Sequence, residues 1–184
     1  MDPRVETLQK TVSVNEFCER FFDGEKFALA CARCPGYGRT WACPPYDFDP
    51  IDLWRSYNSF LLYAKKVFVP DELRNVEMEA AELAESYHEL LAPVKAQLMD
   101  ELFALENEHE GSLALSGGGC DICAECARDR GEPCVCSERM RYSVESLGGD
   151  VGGSLGRWFG EKLLWAEGGH LPEYFIIMGG LLMK

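Results

Sequence analysis

The chain has 184 residues, 47% of them apolar and 27% charged, the balance of a folded domain rather than a disordered segment. Its net charge of −13 argues against a nucleic-acid partner, and no apolar run nears the roughly 20 residues that span a bilayer, so a membrane is not expected either. No apolar leader follows Met1, which predicts a cytoplasmic location, where nine cysteines read as metal or redox chemistry rather than disulfides.

In chain order, Ser13 or Asn15 is placed to cap a short helix over Val14–Phe22. Cys18 lies within it beside Phe17, Phe21 and Phe22, the setting of a core thiol. After the turn signal Asp23-Gly24, the apolar run Lys26–Ala30 reads as a short strand leading into Cys31. Residues 59–69 form the best strand candidate, ended by Pro70.

Residues 71–110 hold twelve Asp and Glu against Arg74 and Lys95, a net −10. Apolar residues from Leu73 to Leu105 recur there at spacings of three and four, which predicts a helical segment with a solvated acidic face. The same face could instead dock a basic redox partner protein. Pro93 predicts a kink or break near Leu91–Ala92. His88 and His109 in this segment read as surface residues.

Further on, Ser137–Leu147 reads as a helix stopped by Gly148-Gly149. A second short helix begins at Ser154 and ends at Gly168-Gly169, and the last element is a strand over Tyr174–Met183. Capping and structural hydrogen bonding are the expected roles of Glu145 and Asp150. These elements predict a single cysteine-rich α+β domain over 1–184: a small mixed or antiparallel sheet with flanking helices and metal-binding loops.

Eight of the nine cysteines fall in two groups. The second group is Cys120-x2-Cys123-x2-Cys126-x7-Cys134-x-Cys136. Three thiolates at successive spacings of three suit a loop wrapped around a four-iron cluster, with a more remote cysteine completing the set. Structural zinc sites more often pair two separated Cys-x2-Cys knuckles, so zinc is the lesser alternative. The first group is Cys31-x2-Cys34-x8-Cys43, followed by Pro44-Pro45. Eight extended residues reach beyond about 20 Å, so Cys43 is free to fold back onto the Cys31/Cys34 site or to serve the other centre. Cys134 and Cys136, one residue apart, would project to opposite sides of an extended chain and so serve different centres, unless Cys136 is a free thiol. Tyr37 and Trp41 are expected to shield the first centre from water.

Cys-x2-Cys-x2-Tyr-Gly-x2-Trp-x-Cys-Pro-Pro, from Cys31 to Pro45, is similar to the first signature of the uncharacterised "predicted metal-binding protein" family common in anaerobic bacteria and archaea. The run from Gly118 to Cys134, followed by Arg141-x-Ser143-x-Glu145-x2-Gly148-x-Asp150-Val151, resembles its second. The resemblance implies a metal site at Cys31, Cys34, Cys43, Cys120, Cys123, Cys126 and Cys134, and no particular activity. Where the family usually carries proline, this chain has Cys136. Seven ligands leave one centre a cysteine short. The expectation is an iron–sulfur protein with one or two 4Fe–4S clusters, serving electron transfer in anaerobic metabolism. The alternatives are an enzyme whose three-cysteine cluster binds substrate at an open iron, and a zinc-stabilised interaction module.

Overall fold

The computed structural model describes residues 3–184. Four antiparallel strands, β1 (Val5–Ser13), β2 (Ser59–Phe68), β3 (Leu113–Leu115) and β4 (Tyr174–Met183), form one sheet in the order β1-β2-β4-β3. With the helices this is an α+β fold. The last strand in sequence is an inner one, paired with β2 over ten residues from Ser59↔Met183 to Phe68↔Tyr174.

Side-chain alternation along β2 assigns the two faces of the sheet. Phe60, Leu62 and Ala64 are buried in a core with Phe17, Trp54, Leu147, Leu155, Met178 and Leu182. Leu61 and Tyr63 point the other way, toward Leu98, Leu102 and Leu181. The first face is covered by α1 (Val14–Phe21), α3 (Pro50–Arg55) and α6 (Val151–Phe159), the second by α5 (Ala80–Glu108). Gly180 is required in β4 because a Cβ there would collide with the Phe60 ring and the Leu61 carbonyl.

α1 is capped as expected: the Ser13 hydroxyl accepts from the Glu16 amide at 3.1 Å. β2 and β4 lie where the sequence places strands. Four expectations are corrected. The run read as a strand over Lys26–Ala30 belongs to α2 (Gly24–Cys31), started by the Asp23 carboxylate accepting from the Lys26 amide at 2.9 Å; the short apolar run is ambiguous, and no strand edge is available to it.

Of the kink or break expected at Pro93, the break does not occur. α5 continues through it, because Leu90, Leu91, Val94, Leu98 and Leu102 on both sides of the proline are anchored in the core. Residues 137–147 are turns rather than a helix. Ser143 and Ser146 exchange side-chain to backbone hydrogen bonds of 3.0–3.1 Å, and Ser116 bridges to Ser143, so local side chains and a strand contact outcompete helical bonding. α6 begins at Asp150, whose carboxylate accepts from the Gly153 amide at 2.8 Å, and stops at left-handed Gly160 rather than Gly168. β1, β3 and α3 add to the expected elements, and the expected helical segment divides into the short α4 (Asp71–Arg74) and α5. Among the described residues no helix is long and apolar enough to cross a membrane.

Candidate metal centre

Two cysteine-bearing loops lie side by side. The first leaves the C-terminus of α2, of which Cys31 is the last residue, and runs to α3. The second joins β3 to α6 and contains a single 3-10 turn, Ala127–Arg130.

Arg128, on that turn, locks the loops together. Its guanidinium donates to the carbonyls of Thr40 at 2.7 Å, Pro45 at 2.6 Å, and Cys43. The planar fork suits several carbonyls at once, which a lysine could not match. Arg39 makes a two-pronged pair with Asp129 at 2.9 and 3.1 Å, and the Trp41 indole N–H donates to the Glu132 carbonyl at 3.0 Å. Lys95 of α5 holds the approach to the second loop, donating to the Gly119 carbonyl and pairing with Asp121 at 2.8 Å.

The first loop brings Cys31, Cys34 and Cys43 together. The Sγ atoms of Cys43 and Cys34 flank Gly36, where a Cβ would lie 3.3 and 4.0 Å from them. The charges of Cys43 and Cys34 act on Cys31, whose thiol is pushed up first by burial and then by those neighbours and Glu145. The second loop brings Cys120, Cys123, Cys126, Cys134 and Cys136 around one small cavity that Thr40 and Trp41 close from the first loop. Trp41 therefore covers the second group, and Tyr37 is exposed.

Cys136 is placed with the second group, its Sγ 3.6 Å from that of Cys123. The chain turns at Val135–Arg139 instead of extending, so Cys134 and Cys136 face the same cavity despite their spacing. Cys123 is pushed up by its hydrogen bond with Cys136, then by burial and the charges of neighbouring thiols; burial chiefly pushes Cys120 up. Crowded thiols resist losing their protons together, and a bound cation removes that resistance.

All nine cysteines are free thiols. Among the described residues no three His, Cys, Asp or Glu side chains converge tightly enough to hold a single ion. Among the described residues, three buried polar side-chain atoms, Thr40 Oγ1, Arg74 Nε and Glu145 Oε2, lie outside normal hydrogen-bond geometry; burial pushes the Glu145 carboxyl up, opposed by hydrogen bonding from its own backbone and Ser143. Thr40 lines the second-group cavity, where a bound sulfur would give its hydroxyl a partner. Cys18 stands apart, packed on the main core with its thiol pushed up to about 11 by burial. Asp150 caps α6 and pairs with Lys26 at 3.0 Å, and His88, His109 and His170 are exposed.

The family described as Predicted metal-binding protein (DUF2284) matches residues 18–182. The chain belongs to that family. No curated protein and no solved structure matches it. For this predicted metal-binding protein, the matched span takes in all nine cysteines, both loops and Arg128. Sequence reasoning passed over Arg128, Thr40 and Lys95, whose contacts join the second loop to the first loop and to α5; Glu145 has the hydrogen-bonding role expected of it, with Ser143.

Proposed function

We propose that the chain is an iron–sulfur protein that carries electrons in anaerobic metabolism, with one or two four-iron clusters. Cys31, Cys34 and Cys43 would hold the first centre, and Cys120, Cys123, Cys126 and Cys134 the second, with Cys136 in reserve beside Cys123. The observation that carries this reading is the gathering of eight thiols in two adjoining loops fastened to each other by Arg128. The five thiols of the second loop line one small cavity, and the successive spacings of three among Cys120, Cys123 and Cys126 favour a cluster over one tetrahedral ion. When bound, such a cluster supplies one-electron transfer. The chain's own part is to fix the thiolates, to cover the second centre with Trp41, and to present a surface of net charge −13 to a basic partner.

Iron, sulfide and zinc analysis of anaerobically purified protein tests the proposal. It requires about four or eight irons per chain with matching sulfide and broad absorbance near about 400 nm. Cys120→Ala and Cys126→Ala should each lose about four irons. Zinc without sulfide would instead support a zinc-stabilised interaction module.

One feature favours a second reading, an enzyme that binds substrate at an open iron. A groove of about 440 Å³ abuts Cys120, lined by Lys95, Arg139 and Arg141 together with Asp100 and Asp121, a mixed-charge lining of a size for a small polar molecule. Displacement of an iron-bound probe by a small carboxylate would favour this reading over a pure carrier.

A further inference from the structure

α5 and the second cysteine loop leave the groove of about 440 Å³ between them. Its α5 wall is Ala92, Ala96, Met99 and Phe103, at spacings of three and four that keep them on one side of the helix. Ile122 and Gly119 line it from the loop. A Cβ at Gly119 would meet no protein atom within 4 Å, so packing does not demand glycine there, and the missing side chain leaves the groove wide.

Most of the charged groups on this apolar floor are already satisfied. Lys95 pairs with Asp121 at 2.8 Å, and Arg141 grips Glu106 with two bonds of 2.6 and 3.1 Å. Arg139 and Asp100 line the groove too, and among the described residues neither has an ion-pair partner, nor do they pair with each other. His88 stands three turns of α5 from Asp100, about 18 Å along the helix.

The two unpaired charges lie beside one ring. The Arg139 guanidinium is 5.8 Å from the Phe103 ring centroid. Asp100 precedes Phe103 by three residues of α5, which sets their Cβ atoms about 5–6 Å apart on the helix surface. A cation and an anion on the order of 10 Å apart are too distant to pair with each other. They match the two ends of a molecule whose carboxylate and ammonium are each hydrogen-bonded at about 2.9 Å.

We propose that this groove binds a zwitterionic amino acid with an apolar or aromatic side chain. Arg139 takes the carboxylate, whose two oxygens suit the planar fork, Asp100 takes the ammonium, and the side chain lies along Met99, Phe103 and Ile122. A plain anion would gain from Arg139 but bring its charge toward Asp100, and a plain cation would meet the reverse, so the lining discriminates against both. Cys120 borders the groove, which sets the bound molecule beside the second centre. The proposal rests on the open-iron reading above for the groove it fills, while the groups that grip the ligand all lie outside the thiols.

Calorimetric titration of full-length protein, purified anaerobically with the metal it carries, tests this. The probes are L-phenylalanine, 3-phenylpropionate, which lacks the amine, and 2-phenylethylamine, which lacks the carboxylate. L-Phenylalanine should bind saturably at one site per chain, and each analogue at least about tenfold more weakly. Arg139→Gln and Asp100→Asn should each weaken L-phenylalanine about tenfold, with melting unchanged because both side chains are exposed. Arg139→Gln should also bind L-phenylalanine and 2-phenylethylamine alike. No saturable binding of L-phenylalanine or L-leucine at about 10 mM overturns the proposal. So does 3-phenylpropionate binding as tightly as L-phenylalanine, the mark of a plain anion site, or unchanged affinity in either variant, which puts the ligand elsewhere. Metal analysis of the same preparation separates the two failures: zinc or no metal defeats the open-iron reading while the titration still decides the groove, and a full iron count without titration defeats the groove alone.

Discussion

Arg128→Ala removes a side chain that bonds to three carbonyls of the opposite cysteine loop. A hydrogen bond from a charged donor contributes about 1.5–3 kcal/mol. The bonds to Thr40 and Cys43 are partly buried, whereas the one to Pro45 is exposed and its carbonyl can rehydrate, so the sum belongs near the lower end, about 3–4 kcal/mol. For a chain of this length that corresponds to a fall in Tm of about 6–16 °C. Arg128→Lys keeps the charge but not the fork, and should recover about a third of the loss. Thermal unfolding followed by circular dichroism under anaerobic conditions reads both variants, and release of metal to a chelator should quicken in step. A fall in Tm below about 2 °C for Arg128→Ala would refute the reasoning, since the loops would then hold together without the clamp.

Cys136→Ser should keep the full metal content because Cys123 occupies the same corner of the cavity, and the double change Cys123→Ser with Cys136→Ser should lose about four irons; metal analysis of the two decides it. Cys18→Ala should retain all metal and lose about 1–2 kcal/mol in denaturant unfolding, since it empties part of the core beside α1 and touches neither loop. Burial alone would raise the Glu101 carboxyl, but hydrogen bonds from Lys65, Tyr63 and Gln97 outweigh it and hold the group below its ordinary 4.5. The stability it contributes is therefore fully present above about pH 5 and lost as pH falls through the lowered value; Glu101→Gln should flatten that acid limb of a stability–pH profile, and an unchanged limb would disprove the assignment.

The strands that were legible are those whose residues repeat the pattern of the sheet. β2 and β4 are long, apolar and rich in branched or aromatic side chains, and β4 occupies the span its sequence suggests. β1 was hidden because an edge strand needs little apolar character: Thr7, Gln9 and Lys10 sit at one side of the sheet with solvent beyond. α2 was misread because the four apolar residues Phe27–Ala30 fit either period, and the helix at 137–147 was lost to two serines that bond each other's backbone. At the metal centre, spacing alone separates the cysteines into two groups. The residues around them are a different matter. Arg128 meets Cys43 across 85 positions of sequence, and neither local pattern nor composition carries that pairing. Trp41 lies between first-group cysteines in sequence yet covers the second group in space, for the same reason.

The placement of β4 bears on how the protein is made. It is the last of the four strands to leave the ribosome, and it lies between β2 and β3, so the sheet that supports both cysteine loops cannot close while residues 174–183 are still in the exit tunnel. At a synthesis rate of about 5–20 residues per second, every cysteine emerges seconds before the platform that will hold it in place. During that interval the thiols are open to oxygen, to stray metal ions and to one another. A metal that needs both loops on the finished platform can therefore be held only once residues 174–183 have slotted into the centre of the sheet.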